Sequence, residues 1–150
     1  MKHLYLSALF LLGLTSCQIG GLTSGYSHLS ATQKERVVTL EDDIDAIHDF
    51  SKVYTVCINQ VKQYIESHDR VLLYDYTPFC RSTYCVSPSA LVSQCKDKGI
   101  NVLVISNIYD DIFKQQHTTF PMLMIDTKRF PTKWRAKYHD LFYLPLTGHT

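Results

Sequence analysis

An excess of charge of one sign is missing from this chain: fifteen Lys and Arg stand against fourteen Asp and Glu over 150 residues, a formal net charge of +1. Long basic runs are missing too, so the counterion release that drives nucleic-acid binding is weak and no nucleic-acid partner is expected. No apolar run reaches the roughly 20 residues that a membrane-crossing helix requires. The longest, at 4–14, follows Lys2 and His3 and reads as a secretory signal. Internal repeats are absent, and with them the signature of a stacked array. Removing sixteen leader residues leaves 134, enough for one modest core and too few for two comfortable domains.

What is present begins at the end of that apolar run, with Leu14, Thr15, Ser16 and Cys17. This sequence resembles a bacterial lipobox, in which an aliphatic and two small residues precede the cysteine that receives a diacylglycerol thioether. The resemblance implies a signal peptide over 1–16, lipidation of Cys17, and a lipid-anchored protein of the bacterial cell envelope or periplasm. Residues 17–28, rich in Gly and Ser, read as a flexible tether. With Cys17 set aside, Cys57, Cys80, Cys85 and Cys95 remain, an even number in a compartment that permits disulfides.

Hydrophobic periodicity divides the rest into strands and helices. Ser30 with Gln33 predicts a capping box and a helix to about Leu40, within a helical extension over 29–52. The acidic residues Asp42, Asp43 and Asp45 predict a solvated turn. Strands are predicted at 53–56, 71–76, 100–105 and 120–125, the second covered on both faces. Helices are predicted at 60–68, at 88–98 after the Ser87–Pro88 start signal, at 110–116, and around Trp134, Tyr138 and Leu141, with Pro145 ending the last. Strands alternating with helices imply an α/β fold.

One stretch carries the functional argument. Residues 66–80, ESHDRVLLYDYTPFC, place a helix end, an apolar strand and a proline ahead of Cys80, and five residues further lies Cys85. This is similar to the approach of the thioredoxin superfamily to its active site, and TTFPMLMID at 118–126 resembles that family's cis-proline signature. The resemblance spans about 53–143 and implies a thioredoxin-like central mixed sheet flanked by helices. It further implies that Cys80 is the exposed attacking thiol, Cys85 its resolving partner and Pro121 the cis-proline beside them, with the Phe120 backbone free to pair with a substrate strand. Four residues separate the cysteines here, Arg81, Ser82, Thr83 and Tyr84, where thioredoxins usually have two. The family's redox potential therefore does not carry over.

Thiolate is the reactive species, and a free cysteine, with a pKa of about 8.5, is mostly protonated at neutral pH. Arg81 beside Cys80 and a helix start close by both favour the thiolate. The expected activity is thiol-disulfide exchange with protein thiols or disulfides of the envelope, without a cofactor. Against it stands an inert bridge in a non-catalytic envelope lipoprotein, although closing a six-residue loop contributes only roughly 2 kcal/mol against roughly 4 for one of about forty. A third reading joins Cys80, Cys85 and His117 as a soft metal site, as in thioredoxin-fold copper chaperones. Cys57 and Cys95 read as buried small hydrophobes on opposite sides of the sheet, Cys95 with a minor option of pairing with an active-site cysteine during turnover. Trp134, Tyr138 and Phe142 read as packing residues. Asp75 is either a proton acceptor near the thiols or a carboxylate with a backbone partner.

Overall fold

A computed structural model describes residues 20–114 and 119–148. The leader, the lipobox with Cys17, and His117 lie outside the described residues. Five strands form one sheet: β1 (Val37–Thr39), β2 (Val53–Val56), β3 (Val71–Tyr76), β4 (Asn101–Ser106) and β5 (Met122–Ile125), in the order β1-β2-β5-β4-β3. Four helices accompany it: α1 (Ala31–Glu35), α2 (Ile58–Ser67), α3 (Pro88–Lys96) and α4 (Arg135–Thr147). The α/β class is as the sequence predicts.

Every strand pair is parallel, where a mixed sheet was expected. Register explains the consequence for Pro121. Met122 pairs with Val104 and Val104 with Tyr74, so the residue before Met122 sits about three rungs, roughly 10 Å, below Tyr76 at the top of β3. Among the described residues no peptide bond is cis. The Phe120–Pro121 bond is trans, the form a tertiary amide itself prefers by about 0.5–1 kcal/mol.

Two cores sandwich the sheet. On one face Tyr54, Val56, Ile105, Leu123 and Ile125 meet Val61 of α2 and Tyr138 and Phe142 of α4. On the other, Val53, Val104, Met122 and Met124 meet Leu29, Tyr109, Ile112 and Phe120, with Val92 of α3 against them. Period-2 alternation sends successive residues of β2, β4 and β5 to opposite cores, which is why these strands read as unbroken apolar runs.

Several elements differ from their predicted form. The Ser30–Gln33 capping box is present, with both reciprocal hydrogen bonds. Its helix stops at Glu35, and the β-branched pair that follows becomes β1, paired with β2, so 29–52 belongs to the domain rather than to a helical extension. β3 lies at the sheet edge, not at its covered centre, and leaves Leu72 exposed. The segment after β4 turns through Lys114 without forming a helix. α4 runs past Pro145 to Thr147, Tyr138 and Phe142 are wholly buried, and Trp134 is exposed. The tether expected over 17–28 is docked along its described part. Leu22 O accepts from Arg135 N, Ser24 O from Tyr109 N, and His28 Nδ1 lies 2.8 Å from Asp110 Oδ1.

Candidate functional site

In a parallel sheet every strand-to-helix loop leaves from the same edge, and ligands of such folds bind outside the carboxyl ends of the strands. Two features of this protein share that edge.

The first is the loop from β3 to α3. Two consecutive tight turns build it: Cys80 N donates to Thr77 O and Cys85 N to Ser82 O, each at 3.0 Å. Pro78 occupies the second position of the first turn, where its fixed φ is already suitable. Tyr74 OH reaches over from β3 to donate to Val86 O at 2.7 Å, which pins the end of the loop. The turns bring Cys80 and Cys85 to a Cα separation of 6.2 Å, and the two are disulfide-bonded. Cys80 and Arg81 are exposed and Cys85 is half-buried. Cys85 stands two residues before Ser87, which borders α3 without a capping side-chain hydrogen bond, and Pro88 opens that helix.

The second feature is a polar network that the sequence signalled only through Asp75. Asn107, the first residue beyond β4, donates through Nδ2 to Asp75 Oδ1 at 2.7 Å. His139 Nε2 lies 2.8 Å from Asp75 Oδ2. Asp75 thus has side-chain partners, not the backbone partner anticipated. Arg135 donates from Nη1 to Asn107 Oδ1 at 3.0 Å and from Nε to Gly21 O at 2.6 Å. Tyr138 OH donates to Asn107 O. Burial pushes the hydroxyls of Tyr138 and Tyr143 well above their ordinary values; Arg135 opposes the shift at Tyr138, and Asp75 adds to it at Tyr143. Asp75, Asn107, Arg135 and His139 line a cleft of about 440 Å³ together with Leu22, Thr77 and Trp134.

The two features touch. Thr77 lines the cleft and also opens the disulfide loop. A Cβ on Gly21 would stand 3.9 Å from both Phe79 Cζ and Arg135 Nη2, so the residue before Cys80 and the cleft arginine flank the same point of the N-terminal segment. The rim thus carries a disulfide between an exposed and a half-buried cysteine and, in the adjoining cleft, a carboxylate–imidazole pair.

The remaining predicted site residues are not brought there. Pro121 immediately precedes β5, level with Leu73 and so about three rungs below the rim that carries Cys80, because β5 runs parallel to β3. Phe120 is buried in the second core, so its backbone does not lie at the rim to receive a substrate strand. Cys57 is half-buried at the end of β2 and Cys95 is buried on α3; both are free thiols. Cys95 stands about 10 Å along α3 from Pro88, at 1.5 Å per residue, and so is removed from the Cys80–Cys85 bond. Among the described residues no cluster of three His, Cys, Asp or Glu is placed to hold a metal ion, and the two sulfurs bond each other. No described helix is long and apolar enough to cross a membrane.

Asn107, Arg135 and His139 escaped the sequence reading. The available signal was positional: Asn107 ends an apolar run, and Arg135 and His139 stand four apart, on one helical face. No protein-family model, no curated protein and no solved structure matches the chain.

Proposed function

We propose that this protein is a lipid-anchored, extracytoplasmic thiol-disulfide exchange protein of the bacterial cell envelope, working through Cys80 and Cys85. The observation that carries the reading is an exposed residue, Cys80, disulfide-bonded to the half-buried Cys85 on the sheet edge where α/β proteins bind ligands. The reading keeps from the thioredoxin resemblance only the strand, proline and cysteine of the β3 approach. It makes no use of a cis-proline, and Pro121 and Phe120 have no part in it.

In the oxidised state a substrate thiolate attacks Cys80 Sγ; the bond to Cys85 breaks, and Cys85 leaves as a thiolate and takes up a proton. The start of α3, three residues on, favours that leaving thiolate through its unpaired N–H groups. A second substrate thiol gives up its proton, attacks the substrate sulfur of the mixed disulfide and displaces Cys80. Two substrate thiols become a disulfide, and the protein disulfide becomes two thiols. Run backwards, the same steps reduce a substrate disulfide with Cys80 as the attacking thiolate. In both directions the mixed disulfide forms on Cys80.

An insulin-reduction or glutathione-exchange assay tests this. Wild type is expected to turn over and Cys80→Ser to be inactive. Equal inactivity of the two would leave an inert bridge in a binding or structural lipoprotein.

A further inference from the structure

The edge that carries the disulfide is also the edge from which the N-terminal segment departs. Gly21 and Leu22 are fixed there by Arg135, and Cys17 is only four residues earlier, a reach of about 14 Å at full extension. Around that point the edge exposes large apolar side chains: Leu22 and Phe79 beside the cleft, Tyr84 and Val86 on the disulfide loop, and Trp134 at 56 % exposure. From 127 to 137 the chain has five cations, Lys128, Arg129, Lys133, Arg135 and Lys137, and no carboxylate. The nearest acids are engaged within the fold: Asp75 and Asp140 face His139, Asp110 faces His28 and Asp126 faces Arg129. The acidic run from Glu41 follows β1 on this same edge, across β2 from the loop after β5, where Gln60 at the start of α2 donates to the Asp42 carbonyl. Between the N-terminal segment and the loop after β5 opens a second cleft, of about 790 Å³. Hydroxyls of Thr23, Ser24, Ser27 and Thr132, with Lys128 and Lys133, line it, and no carboxylate does.

We propose that this edge lies against an anionic bilayer surface, with Trp134, Leu22 and Phe79 in the interfacial layer and Lys128 and Lys133 on lipid phosphates. Aromatic rings and lysines at one level are the side chains that settle at such an interface, and each lysine adds attraction to anionic lipid. The orientation rests on the anchor at Cys17 assigned above. It deepens that reading by restricting the partners of Cys80 to proteins whose thiols lie next to the membrane.

Trp134 is the chain's one tryptophan, so its fluorescence reports on this edge alone. The full lipoprotein is reconstituted into vesicles of phosphatidylethanolamine and phosphatidylglycerol with bromine on the upper acyl chain. The expected result is flotation with the vesicles and blue-shifted, quenched Trp134 emission. Quenching is lost in Lys128→Glu/Lys133→Glu, which still floats, and kept in Lys96→Glu, at the other end of the sheet. Flotation with unquenched Trp134, or quenching indifferent to the lysine reversal and to replacement of the anionic lipid by phosphatidylcholine, overturns the orientation. A chain that fails to float overturns the anchor, and the orientation with it.

Discussion

Tyr109, Tyr138 and Tyr143 hold their protons more tightly than free tyrosine, in each case chiefly because burial disfavours the phenolate. A raised folded value fixes the sign of a pH effect. Below about pH 10 both folded and unfolded tyrosine keep the proton, and the stability from these side chains is complete. Above it the unfolded chain releases protons that the folded chain retains, so stability falls by up to about 1.4 kcal/mol per tyrosine for each pH unit. The expected outcome is a melting temperature that declines steeply above pH 10, with part of the tyrosinate absorbance appearing only on unfolding. Tyr143→Phe should make the decline shallower. All ten tyrosines titrating together near pH 10 in the folded state would contradict this. At the same scale, Asp75 was legible as unusual because a carboxylate interrupts an apolar strand. Its partners were not, since Asn107 and His139 are 32 and 64 residues away in sequence and only the strand order makes them neighbours.

Among the elements, local chemistry was legible and pairing was not. The capping box at Ser30 and the Ser87–Pro88 start of α3 are decided within a few residues, and both are present. The fate of Val37 to Thr39 and the edge position of β3 depend on which strands meet, and no local pattern carries that. The 20–28 segment is the clearest instance. Its Gly and Ser content reads as a tether, yet Gly25 serves a close approach. Gly25 sits at φ +71°, and a Cβ there would come within 2.6 Å of Asp110 Oδ1, the oxygen that faces His28. Gly25→Ala is expected to cost about 1–3 kcal/mol and to loosen this segment before the core. Hydrogen exchange checks it: the Tyr109 amide, which donates to Ser24 O, should lose protection while Leu123 keeps it. Equal protection in variant and wild type would mean that the glycine is incidental.

For the whole molecule, the direction of β5 decides what the sequence could and could not disclose. Cys80 and Cys85 stand in one loop, so their proximity follows from short-range turns and was readable. Placing Pro121 beside them required an antiparallel β5, and hydrophobic alternation is the same for either direction. A parallel sheet gathers a different set of groups at the rim: the disulfide, the Asp75–His139 pair, the Arg135 cleft and the start of the chain toward Cys17. The account therefore stands on the chemistry of one bond at that rim. The most direct measurement is the opening of the native Cys80–Cys85 disulfide by glutathione, with the first mixed disulfide mapped by mass spectrometry. The account predicts opening in the folded protein with the adduct on Cys80. An adduct on Cys85, or a bond that opens only after the chain unfolds, would contradict it.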